Sequence, residues 1–243
     1  MLLFLFIYEV INIIDKTPLL FYHVLLNNFG ITMIIIVGSN KGGTGKTTTS
    51  TNLAIALTYQ QKEVCLVDAD FQRSAARWHQ DRQETKLSPY ITLVEKYDNI
   101  SSTLEELDKK FHYVIVDVAG RNSREMITGM SVANVLISPH QASQLDLDTI
   151  VELQEQITRI LDINPKLKTY ILHTMASTNP TVKTNERQEF QDYLAEFPKL
   201  KLLNTCCYYR KIYRDVMPIG KSVIESTNTL AKQEMLDLIN EVF

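Results

Sequence analysis

The sequence predicts a doubly wound α/β fold on a mainly parallel sheet, for three reasons. From Met33 onward, short apolar runs alternate with stretches of helical periodicity, the βαβα order that builds parallel sheets. Several of these runs are apolar at successive positions, as in strands covered on both faces. A glycine-rich loop falls between the first run and the first helical stretch. Sheets of this kind bind ligands there, beyond the carboxyl ends of their strands.

The first strand is expected at Met33–Val37, with a helix at Lys46–Tyr59. Strand Glu63–Val67 precedes helix Arg73–Gln83, and Tyr90–Val94 precedes Ser101–Phe111. Tyr113–Asp117 leads to Ser123–Ser131, and Val135–Ser138 to the long helix Leu145–Leu161. Thr169–His173 feeds Lys183–Phe197, and Lys201–Thr205 precedes the closing helix Thr229–Val242. The stretch Ser177–Thr184 reads as a polar loop. Trp78 reads as a packing residue on an amphipathic helix.

The chain has 243 residues, 45% of them hydrophobic, enough for one domain with a sizeable core. A formal net charge of −3 excludes a polycation, so any nucleic-acid contact must come from a local patch. Cys65, Cys206 and Cys207 are odd in number, with two adjacent, a poor disulfide framework; they fit a reduced cytoplasm. His79, His112, His140 and His173 show no metal-ligand spacing. Residues 1–32 differ from the rest. Their opening run, MLLFLFIYEVINII, is interrupted by Glu9, is too short to span a bilayer and lacks the basic start of a signal peptide. Residues 1–32 are therefore expected to be an extension upstream of a natural start at Met33, with the functional domain at 33–243. The other reading is an apolar helix packed on that domain.

The loop Gly38–Thr48 reads GSNKGGTGKTT and is a phosphate-binding loop in its required context, after a strand and opening a helix. Glycines let successive N–H groups curl around one anion, and the helix N-terminus adds its positive dipole end. The expected phosphate cradle is Lys41, Gly42, Gly43, Thr44, Gly45, Lys46, Thr47 and Thr48. Lys46 is expected to reach the β- and γ-phosphates of ATP, and the Thr47 hydroxyl to ligate Mg²⁺. The strand ending in Asp117 supplies a carboxylate for the same ion, and Gly120 gives the following loop freedom. The second strand ends in Asp68 and Asp70, two carboxylates directed at the phosphate crevice.

A general phosphate loop would carry glycine at position 40; this one has Asn40 and an extra lysine, Lys41. The pattern KGGTGKTT resembles the deviant Walker A loop of the ParA/MinD superfamily. The stretch DVAGRNSRE from Asp117 and the P-x-x-x-S-x-x-D pattern from Pro139 to Asp146 resemble the small ParA partition ATPases that lack an N-terminal DNA-binding domain. The resemblance runs from about Met33 to the C-terminus. It implies that Lys41 reaches the partner's phosphates across an ATP-bound homodimer, that Asp70 positions the attacking water and that Asp68 lies near the metal. Where the family has D-x-D-P-Q, this chain has Phe71 in place of proline. The catalytic set is therefore expected to be Lys41, Lys46 and Asp70.

Cys206-Cys207-Tyr208-Tyr209-Arg210-Lys211-Ile212-Tyr213 and the later Gly220–Glu225 stretch resemble the family's R-x-x-Y … G-x-S-V-x-E segment. By that resemblance Cys207, Tyr208 and Arg210 lie near adenine. Arg210, Lys211, Arg214 and Lys221 form a basic cluster suited to DNA phosphates, or alternatively a solvated helix face. The resemblance implies an ATP-hydrolysing switch for plasmid or chromosome partition, cytoplasmic and nucleoid-associated. It would bind DNA without sequence preference and be stimulated by a ParB-like centromere-binding protein. Positioning of another cargo is an alternative. A MinD-like membrane cycle needs a basic amphipathic tail, and the tail here is net acidic.

Overall fold

The computed structural model describes residues 32–120 and 123–243. The apolar extension up to residue 31, Arg121, Asn122 and the side chains of residues 144–148, with Asp146 and Asp148 among them, lie outside the described residues.

Met33–Phe243 forms one compact unit. Its elements are β1 (Met33–Val37), α1 (Lys46–Tyr59), β2 (Val64–Ala69), α2 (Ser74–Glu84), β3 (Thr92–Glu95), α3 (Ser101–Asp108), β4 (Tyr113–Val118) and α4 (Arg124–Met130). Then come β5 (Val135–His140), α5 (Gln144–Leu161), β6 (Lys168–Ala176), α6 (Pro180–Leu194), β7 (Lys201–Tyr208), α7 (Lys211–Asp215) and α8 (Thr229–Val242). Among the described residues the strands form one seven-stranded sheet in the order β3-β2-β4-β1-β5-β6-β7, and every pairing is parallel.

The period-two geometry of strands explains why successive apolar residues are all buried. Ile35 and Val37 face one layer, with Leu53 and Leu57 of α1, Trp78 of α2 and Met235 and Leu238 of α8. Ile34 and Ile36 face the other, with Leu104 of α3, Met126 of α4, Leu153 of α5 and Phe190 of α6. The sheet is thus wound on both sides. Its central strand β1 lies between β4 and β5, so the loop after it emerges where helices leave for opposite faces.

The Ser177–Thr184 stretch is not a loop throughout. Helix α6 begins at Pro180, and the Asn179 side chain accepts the Thr181 N–H, an N-cap followed by proline in the first turn. Strands β6 and β7 run beyond the expected His173 and Thr205, to Ala176 and Tyr208. Helix α3 ends at Asp108, short of the expected Phe111. The short helix α7 was absent from the sequence reading.

The Gly220–Glu225 stretch braces the fold. Ser222 donates its hydroxyl to Asn52 of α1 at 2.7 Å and closes a capping box with Glu225. The Glu225 carboxylate accepts two N–H bonds from the buried Arg82 guanidinium, both at 2.9 Å. Trp78, 1% exposed, donates its indole N–H to the Lys221 carbonyl at 3.0 Å. These contacts tie the Gly220–Glu225 stretch to α2 and to α1, which opens from the phosphate loop.

Candidate active site

The loop after β1 is shaped by its backbone. Gly45, the residue before α1, sits at φ 92°, a left-handed conformation that side-chain-bearing residues rarely adopt. Behind the loop, the buried Ser39 and Thr44 hydroxyls bond at 2.8 Å. The Thr44 carbonyl accepts the Thr174 hydroxyl of β6 at 2.8 Å. The loop is therefore tied to its own base and to β6.

Lys46 is 8% exposed, and its ammonium donates to the Lys41 carbonyl at 2.8 Å. Burial pulls its pKa below the usual lysine value, opposed by the Asp117 and Asp70 carboxylates. A desolvated ammonium favours an anionic ligand, which returns some of the stabilisation lost with its water. Gly120, after β4, presses on the same spot. A Cβ there would meet the Lys41 carbonyl and the Lys46 ammonium at 3.0 Å and the Gly42 nitrogen at 3.1 Å. A side chain there would need these neighbours, one of them the flexible Lys46 ammonium, to give by a few tenths of an ångström.

Asp117, at the end of β4, is 1% exposed. Its carboxylate accepts the Thr47 hydroxyl at 2.6 Å and the Ser50 hydroxyl at 3.3 Å. Burial pushes its pKa up to about 7, against the pull of the Thr47 hydrogen bond. A buried hydroxyl–carboxylate pair beside a phosphate loop is the donor set a hard divalent cation takes.

Asp70 and Asp68 part company. Asp70 lines the same cavity as Gly42, Gly43, Gly45, Lys46, Thr47, Thr48, Phe71 and Gly120. Asp68 is fully buried, and its oxygens accept the Asp70 N–H at 3.0 Å and the Ala76 N–H at 2.7 Å. The second bond caps α2 from inside the turn. Both oxygens hold the β2–α2 backbone, burial raises its pKa, and parallel pairing sets Asp68 beside Asp117.

A second cavity adjoins the first and shares Gly45, Thr48 and Met175 with it. It is lined mainly by apolar surface from Cys207, Tyr208, Tyr209, Arg210, Tyr213 and Met235. Its wall is organised by Glu234 of α8, which accepts the Arg210 Nε at 2.6 Å, the Tyr213 hydroxyl at 2.8 Å and the Tyr208 N–H at 3.2 Å. Cys207 is a buried thiol whose pKa burial pushes up, so it packs as a small apolar residue.

Gly42, Gly43, Gly45, Lys46, Thr47 and Thr48 of the expected phosphate cradle line the first cavity, and Cys207, Tyr208 and Arg210 the second; through their shared residues the two form one continuous cleft, whose lining does not include Lys41 or the buried Thr44. Several residues that build the cleft carry no role in the sequence reading. Met175 sits at φ 52° in an irregular part of the β6–β7 pairing, and no sequence signal marks it. Tyr209 and Tyr213 lay inside the quoted motif without a role, and Glu234 stood in a tail read only for its charge. The basic cluster divides. The Arg210 side chain, 21% exposed, pairs with Glu234. Lys211 is 81% exposed beside Asp215, and the Arg214 guanidinium lies 5.2 Å from the Tyr209 ring. Lys221 is half-buried in the brace.

Residues 35–217 match the CobQ/CobB/MinD/ParA nucleotide binding domain family. The chain is 30% identical over 158 residues to the septum site-determining protein MinD of Bacillus subtilis, covering 50% of this chain and 59% of that protein's length. It is 27% identical over 212 residues to the maintenance of carboxysome distribution protein A of Halothiobacillus neapolitanus, covering 86% and 95%. Among solved structures, a plasmid partition protein of Borrelia burgdorferi bound to AMPPNP superposes with a TM-score of 0.66 at 18% identity, covering 86% and 97%. That likeness concerns the fold.

Proposed function

Because the chain belongs to the CobQ/CobB/MinD/ParA nucleotide-binding family, we propose that it is an ATP-hydrolysing dimeric switch for plasmid or chromosome partition. The observation that carries this reading is the continuous cleft. At one end Lys46, Thr47 and Asp70 line the phosphate cavity, with Asp117 bonded to Thr47 behind it; at the other lies the apolar pocket at Tyr208 and Cys207.

In this reading the loop N–H groups and Lys46 bind the triphosphate, which replaces the Lys41 carbonyl as partner of the Lys46 ammonium. Thr47 and Asp117 hold Mg²⁺, whose charge offsets that of the phosphate oxygens. Asp70 accepts a hydrogen bond from the attacking water and orients it. Lys41 belongs to the second subunit's site in the ATP-bound homodimer, so turnover is slow until the dimer forms. Hydrolysis removes the γ-phosphate that holds the dimer together.

Lys211 and Arg214 supply the DNA-facing charge, and two copies in a dimer double it. A ParB-like protein stimulates hydrolysis and releases the DNA, and the protein works in the cytoplasm on the nucleoid. A second reading keeps the switch and changes the cargo, since the carboxysome-distribution relative matches over 86% of this chain. Among the described residues no helix is long and apolar enough to cross a membrane.

The test is binding to arbitrary duplex DNA at low salt with ATP and with ADP. ATP-dependent, salt-sensitive binding that Lys211→Ala/Arg214→Ala weakens at least about tenfold supports the reading. DNA binding that ignores the nucleotide, or that the double substitution leaves unchanged, refutes the DNA-coupled role.

A further inference from the structure

The turn that carries Asp70 is held from outside. Asp70 accepts the Gln72 N–H on its side chain at 2.9 Å and the Arg73 N–H on its carbonyl at 2.8 Å. Between these, Phe71 is 71% exposed. Its ring stacks on Tyr97, with centroids 4.5 Å apart and planes 14° from parallel. Tyr97 follows edge strand β3, and its hydroxyl donates to Glu95 at 2.8 Å. Glu95 also accepts Nε and Nη2 of Arg73, at 2.6 and 2.8 Å. Arg73 sits at φ 53°, where the chain reverses into α2.

A large exposed aromatic ring at the rim of a polar cleft gains little from burial. Its gain is the stack, which ties the β2 turn to the β3 loop. The Arg73–Glu95 pair alone is a weak tie, because it is solvated and screened. The stack restrains the residue next to Asp70, whereas the ion pair restrains one three positions away.

We propose that Phe71 is a positioning residue: stacked on Tyr97, it holds the turn that aims the Asp70 carboxylate into the phosphate cleft. This rests on the role given above to Asp70. A group that only orients a transition-state contact changes kcat and leaves nucleotide binding intact. The energy typical of a stacked aromatic pair corresponds to a loss of about two- to tenfold in kcat.

The experiment measures kcat and KM for ATP, and solution mass with ATP, for the full chain and its variants. Phe71→Ala and Tyr97→Ala are each expected to lower kcat at unchanged KM and unchanged mass, with no further loss when combined. Phe71→Tyr, which keeps the stack, is expected to retain kcat. A loss that appears in KM, a loss of ATP-dependent self-association, an unchanged kcat in Phe71→Ala, or failure of Phe71→Tyr overturns the proposal. Asp70→Ala separates the two ideas. If it still hydrolyses ATP at the wild-type rate, the role of Asp70 falls. If it is inactive while Phe71→Ala is wild type, only the positioning role falls.

Discussion

Replacing Asp117 by asparagine should stabilise the ligand-free protein while destroying its response to Mg²⁺. The Asp117 carboxyl is buried, and its pKa stands at about 7 against an ordinary 3.8. The folded state therefore keeps a proton that the unfolded chain has already released. Between these two values stability falls as pH rises, and the whole penalty is in place above pH 7. At 1.36 kcal/mol per pH unit the gap amounts to about 4 kcal/mol, an upper figure. Asp117→Asn keeps the shape and an acceptor for Thr47 or Ser50 but carries no charge. In a chelator, its melting temperature should exceed wild type by up to roughly 10 °C at about pH 8 for a domain of this size. The difference should shrink steadily toward about pH 4, where wild type is protonated in both states. With ATP, adding Mg²⁺ should raise the melting temperature of wild type and not of the variant. Thermal denaturation across this pH range provides the assay, and the difference between the two proteins isolates the one group. A difference independent of pH, or a variant less stable than wild type at pH 8, would refute the reasoning.

Two further substitutions probe the cleft. Gly120→Ala puts a methyl group 3.0 Å from the Lys46 ammonium and the Lys41 carbonyl; calorimetric titration should show ATP affinity down about tenfold, with the unliganded melting temperature little changed. Glu234→Gln weakens the acceptor shared by Arg210, Tyr213 and the Tyr208 N–H; it should destabilise the fold by about 2 kcal/mol in urea unfolding and weaken ATP binding in parallel.

The sheet and the phosphate loop were legible because their signals are local. Helices at Lys46–Tyr59 and Thr229–Val242 coincide with the expected spans, since a glycine or an asparagine stands immediately before each. The α6 start is also local, in Asn179-Pro180, but the polar run around it reads equally as a loop. The split between Asp68 and Asp70 was not legible, because it depends on which way the turn folds back onto α2. The Arg210 pairing was hidden for a related reason: its partner Glu234 lies on α8, and only the tertiary fold brings the two together. The Gly220–Glu225 stretch was noticed as a family-like segment, yet its ties to Asn52 and Arg82 cross more than a hundred residues.

The most direct test of the switch is the mass of the Met33–Phe243 form in solution with Mg²⁺ and either ADP or ATP, with hydrolysis followed in parallel for wild type and Lys41→Ala. The account predicts a monomer with ADP, a dimer with ATP, and loss of hydrolysis in Lys41→Ala. A protein that remains monomeric with ATP, or hydrolyses it equally well without the Lys41 side chain, would contradict the account.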